Sequence, residues 1–594
     1  MTHFVSFIRP ALIGLTCLFM ATGCVTSNVD LVEPLTAKTP IAENQGVVTV
    51  QIINTSAYPL PYNFITIAPK NVNESKKVKY QRLESLLPAT TNSTIFASAV
   101  NAGSYSLSDI RSFFVKGDYY FIRGAGADIE FGTFDVKANQ VTDLGTIIYY
   151  PKPDGDRFLN VLSRIADQQA GESLIKYFPF IDINKEVLGW DEDDAEDERF
   201  SLYSSIAQNP LAFNKQYLTA NGDFYMLAKL GVLLVRTDDG EWQLEAVDSN
   251  NDLHAIADND SGDILIGGDE GRLFFKAAED DEWLDVSLTQ NLRISEINSL
   301  QNNRFELLTY DDKQMKVLQG GLSNDGFQWQ VIRSYAVNKG WRDADGNDVI
   351  VQADIDKKKK KKKKSKRTKI LGVRTASKDG KKYVEISRGY KRELSVFSEG
   401  TQDQFVIDED WNIVEKIGIN ETFATQYTAG KNTIFVEQAG YWSWTGQPSI
   451  YYFDANSGSK VMIQDSIRTC PEGYAMKTKS CMKDKKKVKI KKESFSFVSY
   501  PWFYGEKEAL SIVAFSGYDF WTGPKETKYE IIKTLDGGAN WQRTELQLPA
   551  KYCRSIITEV TDALVVSCEG VSSDIYQSND LGETWQHVRQ HEDF

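Results

Sequence analysis

Apolar and polar residues alternate over short stretches in the first part of the chain, which predicts β-strands. Val48, Val50 and Ile52 alternate with Thr49 and Gln51, and a two-residue period places one face of a strand in a core. Four further runs have the same character: Phe64–Ile67, Tyr119–Ile122, Ile129–Val136 and Val141–Tyr150. Turns rich in Asn, Gly and Ser separate them. We therefore expect residues 46–150 to form a small β-sandwich.

The pattern changes between residues 151 and 211. The run Phe158–Ile165 has its apolar residues at helical spacing, which predicts a short amphipathic helix. The acidic run Asp191–Glu198 follows. Such a run is typical of a solvated linker, and calcium binding is the alternative interpretation. We expect this segment to be a helical and acidic connector.

An eight-residue pattern occurs twice near the end of the chain. Both copies read [Ser/Thr]-x-Asp-x-Gly-x-x-Trp, and the matching positions are Thr534, Asp536, Gly538 and Trp541, then Ser578, Asp580, Gly582 and Trp585. An Asp carboxylate can accept N–H bonds within a tight turn, Gly takes a backbone conformation closed to other residues, and Trp covers the turn. The pattern resembles the Asp box of sialidase-like and photosystem-assembly-factor-like β-propellers. That resemblance implies a propeller fold and a structural role for these residues.

Regular spacing of tryptophan extends the same prediction over residues 212–594. Trp242 and Trp283 are 41 residues apart, Trp283 and Trp329 are 46 apart, and Trp541 and Trp585 are 44 apart. Repeats of this length are typical of propeller blades. Because lysine-rich insertions interrupt the longer gaps, we expect about seven blades, with six or eight also open.

The first 23 residues resemble a bacterial lipoprotein signal peptide. The apolar run Ala11–Met20 is too short to span a bilayer comfortably. It is followed by Ala21-Thr22-Gly23-Cys24, which resembles a lipobox. The resemblance implies cleavage before Cys24, acylation of that cysteine and stable attachment to a membrane through it.

The residues after this cysteine refine the expected location. Val25 stands where such lipoproteins often carry an Asp for inner-membrane retention, so the resemblance implies the outer membrane. The body of the protein can face either the periplasm or the cell exterior. Ordinary secretion with a free Cys24 is the alternative. Residues 24–45 have no periodicity, and we expect them to be a tether.

Four cysteines remain after the expected processing. They lie in two close pairs, Cys470 with Cys481 and Cys553 with Cys568. An even number fits disulfides formed in an oxidising compartment. Metal binding is the competing interpretation, although neither pair has the spacing of a zinc knuckle and the chain has only 4 His.

Two lysine-rich tracts depart from the net charge of −14, which argues against nucleic-acid binding by the whole chain. The second tract covers 483–492, and the first lies near 355–369 and contains Lys357, Lys358, Lys359, Lys360, Lys361, Lys362, Lys363 and Lys364. Repulsion among its charges predicts an exposed, mobile loop for the first tract. Val488 and Ile490 alternate with lysines, which predicts an edge strand in the second. Attraction to anionic envelope surfaces is one interpretation of the tracts, and tolerated low-complexity loops are the other.

Catalytic and metal-binding patterns were sought with little result. The Phe/Tyr-Arg-Ile-Pro motif of sialidases has its nearest match in Phe7-Ile8-Arg9-Pro10, which has the wrong order and lies in the signal segment. His254 is the only histidine outside the two ends of the chain, and it lies in an ordinary strand pattern. The Asp-rich runs 258–263 and 343–348 lack the register of a calcium loop, and β-turns explain them. We expect no metal and no cofactor.

These patterns predict an all-β protein with an N-terminal sandwich, a short helical connector and a C-terminal propeller. The function favoured is a non-catalytic binding or assembly module on the outer membrane, with an envelope protein or polysaccharide as partner and no nucleic acid. A glycan-active enzyme or glycan receptor that uses the propeller centre is the alternative. A membrane-surface role for the lysine tracts is a third possibility.

Overall fold

The computed structural model describes residues 29–588 except for the following gaps: 55–63, 71–78, 86–92, 117–118, 127–131, 155–156, 166–177, 182–186, 191–214, 250, 324–325, 337–367, 379, 391–399, 418–425, 430–431, 438–448, 455–458, 478–479, 516–517, 520–522, 525–526 and 570–572. Several predicted features therefore lie outside the described residues. They are the signal segment 1–23, Cys24, the acidic run 191–198, the Asp-rich run 343–348 and Lys357–Lys364.

Eleven strands build the first unit. In chain order β1–β11 are Val29–Val32, Gln45–Asn54, Phe64–Pro69, Tyr80–Glu84, Ser93–Asn101, Gly103–Lys116, Tyr119–Gly126, Phe134–Val136, Val141–Asp154, Arg157–Ile165 and Val187–Leu188. One sheet has the order β1-β4-β3-β6-β7, with β8 paired to β6. The other has the order β10-β9-β2-β5, with β11 paired to β9.

The two sheets share one core. The position of β2 between two apolar clusters explains why its sequence is so apolar. Val48, Val50 and Ile52 pack with residues of the other sheet, such as Ile65. The opposite face of β2 is also covered, because Val47 belongs to a smaller cluster with Leu35, Ile95, Ala97, Val141 and Phe178. A strand covered on both faces carries apolar residues at successive positions.

The tether prediction is wrong for residues 29–35. Strand β1 pairs in parallel with β4, so that Val29 lies opposite Tyr80 and Val32 opposite Leu83. Leu35 is only 2% exposed, and its N–H donates to the Ala97 carbonyl at 2.8 Å. Pairing with a strand some fifty residues away leaves no local periodicity, which is why the sequence pattern missed it.

The predicted helix over Phe158–Ile165 is also wrong, because this segment is strand β10. It pairs antiparallel with β9 from Arg157 opposite Asp154 to Ile165 opposite Thr146. Leu162 reaches the shared core. Arg164 occupies the next inward position and is 6% exposed, and its guanidinium lies 5.2 Å from the centre of the Trp190 ring. A cation at an inward position hides the two-residue alternation, so the apolar residues that remain match a helical period.

The rest of the chain forms radial sheets whose strands follow one another in sequence. Sheets I, II and III contain β12–β15 (Lys215–Leu218, Phe224–Leu227, Val232–Arg236, Trp242–Ala246), β16–β19 (Leu253–Asp258, Ile264–Gly268, Leu273–Lys276, Leu284–Asp285) and β20–β23 (Arg293–Leu300, Arg304–Tyr310, Gln314–Ser323, Gly326–Ala336). Sheets IV and V contain β24–β27 (Thr368–Lys378, Lys381–Tyr390, Gly400–Ile407, Ile413–Ile417) and β28–β31 (Gln426–Ala429, Asn432–Glu437, Ser449–Asp454, Ser459–Gln464).

An insertion and two further sheets complete the chain. The insertion contains β32–β36 (Ser466–Thr469, Ala475–Lys477, Ser480–Lys483, Lys486–Val488, Lys491–Ser494). Strands β37–β43 are Phe497–Val498, Trp502–Phe503, Ala509–Phe515, Tyr518–Asp519, Gly523–Pro524, Lys528–Thr534 and Gln542–Arg543. Sheet VI consists of β37, β38, β39, β42 and β43, and β40 pairs with β41. Sheet VII contains β44–β47 (Cys553–Ile557, Leu564–Glu569, Ser573–Ser578, Gln586–His587).

Separate apolar clusters join neighbouring sheets and close them into a ring. Clusters link sheets I and II, II and III, and III and IV, and others link V with VI and VI with VII. Phe224 and Leu234 of sheet I then pack with Val565 and Ile575 of sheet VII. Because the last sheet contacts the first, the sheets form a β-propeller. The described residues are nearly all β, with one 3-10 turn at Asp269–Gly271, and none of their helices is long and apolar enough to span a membrane.

Candidate functional site

The loops of sheet I define two ends of the propeller. In sheet I the β12–β13 and β14–β15 loops lie together, and Asp238 N donates to Asp223 Oδ1 at 3.1 Å. We call this end the turn-motif face, since both eight-residue patterns lie in the corresponding loops of sheets VI and VII. At the opposite end, Gly231 N donates to the Asn251 carbonyl at 3.3 Å where the chain crosses to sheet II. We call this end the crossover face.

A buried chain of polar groups joins three sheets at the crossover face. Asp269 accepts a hydrogen bond from Arg293 Nε at 2.5 Å and lies 3.2 Å from His254 Nε2. Arg293 Nη1 donates to the Tyr310 hydroxyl at 3.1 Å, and that hydroxyl donates to the Leu371 carbonyl at 3.3 Å. His254 and Asp269 belong to sheet II, Arg293 and Tyr310 to sheet III, and Leu371 to sheet IV. The chain of bonds therefore fastens these sheets together.

The Asp269 carboxylate raises the pKa values of the two basic side chains that contact it, His254 and Arg293. Asp269 is 1% exposed. Burial on its own would lower the pKa of His254, but the attraction and hydrogen bond of Asp269, together with the nearby Asp252 carboxylate, raise that pKa above its ordinary value. The same carboxylate raises the pKa of Arg293 against the effect of burial. Arg293 and His254 thus share one buried anion, an arrangement that positions charge and holds no activated nucleophile.

The first unit contacts the propeller at the same face. Lys229 is 2% exposed, and its Nζ donates to the carbonyl of Asn54, the last residue of β2, at 3.3 Å. Burial lowers the pKa of Lys229, and the nearby Asp252 carboxylate opposes that shift. A buried lysine that bonds the other unit ties the two units together. Sequence analysis did not single out Lys229, and its one signal is a lone cation inside the apolar run 224–235.

Both eight-residue patterns adopt the same turn. In the first, Thr534 Oγ1 lies 2.8 Å from Asp536 Oδ1 and accepts from Gly538 N at 3.0 Å. Asn540 N then donates to Asp536 Oδ1 at 2.9 Å. Trp541 is 4% exposed in the cluster between sheets V and VI, and its Nε1 donates to the Gly538 carbonyl at 3.0 Å. Each polar position of the pattern is used inside the turn.

The second copy repeats these contacts one sheet later. Ser578 Oγ donates to Asp580 Oδ1 and accepts from Gly582 N, both at 2.7 Å. Thr584 N donates to Asp580 Oδ1 at 2.8 Å, and Trp585 Nε1 donates to a carbonyl of the preceding segment. Hydrogen bonds from the Thr584 side chain and backbone lower the pKa of Asp580 to about 2. The carboxylate is therefore ionised and occupied within its own turn.

Carboxylates near the inner strands are bonded within the propeller as well. Glu296 of β20 accepts from the backbone N of Thr375 at 2.6 Å and from its hydroxyl, and burial raises the Glu296 pKa. Glu306 accepts from Trp411 Nε1 at 2.7 Å and from Lys382 Nζ at 2.9 Å. Despite its burial, these donors lower the Glu306 pKa. Among the described residues, Glu296 is the carboxylate with a raised pKa.

Two disulfides are present, as the cysteine pairs predict. Cys553 and Cys568 lie opposite each other on β44 and β45, and both are buried in the cluster between sheets VI and VII. Cys470 and Cys481, 11 residues apart, bridge the insertion. The metal interpretation of these residues is therefore wrong. In addition, the Asp-rich run 258–263 is a turn in which Asn259 Oδ1 accepts the N–H groups of Ser261 and Asp263 at 3.0 and 2.9 Å.

The second lysine tract lies in the insertion, residues 466–494, which we call the basic hairpin. Strands β33, β34 and β35 form a three-stranded sheet in which β35 is at the edge, where an edge strand was predicted. Strands β32 and β36 pair below it. Ile467 is 5% exposed and packs in the cluster between sheets V and VI. The hairpin therefore projects from the junction of these two sheets.

Comparisons with known proteins identify no relative at the level of sequence, since no family model and no curated protein matches the chain. Solved structures with a similar arrangement include the β-propeller domain of Myceliophteria thermophila Cps50 (Swd1). The identity is 10%, the match covers 62% of this chain and 96% of that one, and the TM-score is 0.32.

YCF48 from Cyanidioschyzon merolae is also similar. It has 13% identity, coverage of 62% and 97%, and a TM-score of 0.30. The WD40 β-propeller domain of Doa1 has 10% identity, coverage of 63% and 97%, and a TM-score of 0.27. Scores this low carry no argument about function. The propeller assignment depends on the closed ring of sheets described above.

Proposed function

We propose that this chain is a non-catalytic binding or assembly module. The observation that carries the proposal is the ring closure between sheets I and VII, with the first unit bonded to one face through Lys229. A closed ring presents a rigid surface and leaves few exposed strand edges. Its ionic groups, such as Asp269 and Asp580, are bonded inside the fold, where they stabilise a scaffold.

The proposal includes a finer architecture. The first unit is a β-sandwich, since two sheets share one core. Sheets I–VII are seven blades of one propeller, and the two eight-residue turns are its Asp boxes. Residues 1–23 are a lipoprotein signal peptide, and acylated Cys24 anchors the chain in the outer membrane. The partner is an envelope protein or polysaccharide held against the propeller.

In-cell crosslinking of the full chain, followed by mass spectrometry, tests the binding role. We expect one dominant envelope component to be captured by the anchored chain. Capture of abundant background alone would contradict the assembly role. A Cys24→Ser variant serves as the control for anchoring, because it should be released from membranes. A variant that stays with the membranes after a salt wash would disprove the lipid anchor.

A glycan-active propeller is the second candidate, and Glu296 favours it. A general acid in glycoside hydrolysis needs a raised pKa, and burial raises the pKa of Glu296. The experiment is a screen of released sugars from a panel of envelope glycans, with Glu296→Gln as the paired variant. Hydrolysis that disappears in this variant, while the variant keeps the wild-type unfolding temperature, would establish the enzyme and displace the binding role.

A further inference from the structure

The basic hairpin concentrates positive charge on an acidic chain. Its 29 residues hold ten of the 68 basic side chains of the protein but only three of the 82 acidic ones. Among the hairpin residues whose exposure the structure describes, the exposed cations are Arg468, Lys483, Lys485, Lys486, Lys487, Lys489, Lys491 and Lys492. The whole chain carries a net charge of −14, whereas the hairpin is locally positive. Its local field attracts an anionic partner.

Structure within the hairpin displays these charges rigidly. Lys483 lies opposite Lys486 across a two-residue turn, in which Asp484 and Lys485 have φ of 48° and 66°. Left-handed values at both positions are those of a tight type I′ hairpin turn. The Cys470–Cys481 disulfide closes the hairpin below this turn. A fixed frame reduces the entropy lost on binding.

Among its described residues, the ion pairs of the hairpin lie at its base. Lys492 Nζ lies 3.0 Å from Asp465 Oδ2, and Lys491 Nζ lies 3.1 Å from Glu493 Oε1. In contrast, four lysines near the tip form no ion pair with any described residue, namely Lys485, Lys486, Lys487 and Lys489. Lysines 483 and 486 face each other with like charge, which disfavours the hairpin unless an anion screens them.

The predominance of lysine among the cations of the hairpin indicates which class of anionic partner it binds. Nine of the ten cations are lysine, whereas protein interfaces are enriched in Arg and aromatic residues and depleted in Lys. Single-stranded nucleic acid would need aromatic platforms between the charges, and Tyr474 is the only aromatic residue from 466 to 494. A cluster of lysines without such groups suits diffuse contact with a surface of anionic headgroups. Val488 and Ile490, both partly exposed between the lysines, suit the boundary of that surface.

We propose that the basic hairpin docks this protein onto a membrane that carries anionic phospholipid headgroups. The contact is independent of Cys24. Because the hairpin projects from the junction of sheets V and VI, a membrane contact made through it orients the propeller. The inference goes beyond the proposed binding role, because it assigns a second surface, and it can fail while that role stands.

Vesicle cosedimentation of the full chain tests the proposal. The chain carries Cys24→Ser so that no acyl group contributes, and the vesicles contain either phosphatidylcholine alone or phosphatidylcholine with phosphatidylglycerol. We expect binding only to the anionic vesicles, and weaker binding as salt shortens the range of the charges. Reversal of four lysines, K485E, K486E, K487E and K489E, should weaken binding at least about 100-fold.

A control with the same change in net charge separates the hairpin from overall charge. It reverses four exposed lysines elsewhere, K38E, K137E, K313E and K507E, and should lose far less affinity. Both variants should keep the unfolding temperature of the parent, since all eight side chains are exposed. Equal binding by the hairpin variant and the parent would overturn the proposal and leave residues 357–364 as the contact. Binding to neither vesicle, or to both equally, would also overturn it.

Discussion

Individual polar residues in this protein are used mainly to hold its turns and sheets. Asp536 and Asp580 each close a turn between the outer strands of a sheet. Asp269 holds two cations of neighbouring sheets. Carboxylates used in this way stabilise the fold only while they are ionised. The shifted pKa values of Asp580 and of His254, the partner of Asp269, therefore become predictions about stability and pH.

Asp580→Asn should destabilise sheet VII above about pH 4. The Asp580 pKa is lowered to about 2 in the fold, against about 3.9 in an unfolded chain. A lowered pKa stabilises the fold fully above the unfolded value, and the effect is lost as pH falls through the folded value. Thermal unfolding at a series of pH values should show a lower unfolding temperature for the variant, with the difference vanishing toward pH 2. Asp281→Asn, at an exposed site in sheet II, should show no such difference.

His254 should titrate above about 6.5, the ordinary value for histidine. Asp269 raises its pKa in spite of burial, so this pair stabilises the fold below the ordinary value and less as pH rises through the folded one. The measurement is the pH dependence of the histidine Cε1–H signals by NMR, assigned with His254→Gln. In Asp269→Asn, only the Asp252 carboxylate still opposes burial, so the pKa of His254 should fall relative to the parent. An unchanged titration would show that Asp269 does not control it.

At the scale of elements, the sequence predicts a strand where apolar and polar residues alternate, even where both faces of that strand are covered, as in β2. The alternation at Val48, Val50 and Ile52 predicts β2. The two turn patterns predict the positions of tight turns in sheets VI and VII. Strand β10 fails because Arg164 occupies an inward position and is covered by Trp190. Local periodicity cannot detect a partner ring that lies in another element.

The candidate site was less predictable than the fold. Lys229, Asp269 and Arg293 are charged residues at loops and strand ends, and the chemistry of each alone is ordinary. Their arrangement arises from three sheets that meet at the crossover face. The basic hairpin, in contrast, is visible in the sequence as the tract 483–492. Its rigid frame depends on the Cys470–Cys481 pairing and on two left-handed turn residues.

The two disulfides should contribute to different levels of structure. Replacement of both Cys553 and Cys568 by Ala should lower the free energy of unfolding of the propeller by about 3 kcal/mol, because the bridge closes a separation of 15 residues. Denaturant unfolding followed by tryptophan fluorescence measures this change. Replacement of Cys470 and Cys481 by Ser is the comparison, since their bridge lies in the hairpin. It should speed hydrogen exchange within 466–494 and leave the midpoint of the propeller unchanged.

The whole molecule is held together by closure of its ring. Apolar clusters join sheets I to IV in order and sheets V to VII in order, and the junction of sheets I and VII joins the two ends of the propeller sequence. Residues more than 300 positions apart meet there, as shown by the bond of 2.7 Å from Trp242 Nε1 to Gln577 Oε1. A ring whose ends meet resists local opening more than an open row of sheets would.

Ile575→Ala tests whether closure couples the two ends of the ring. Ile575 is fully buried between sheets VII and I, so the truncation should cost about 2–5 kcal/mol through lost burial and a cavity. Hydrogen exchange should accelerate in sheet VII and also around Phe224 and Leu234, more than 300 residues earlier. Ile67→Ala in the core of the first unit is the matched control and should leave exchange in sheet I unchanged. Faster exchange confined to sheet VII would mean that the ring opens without loosening its first sheet.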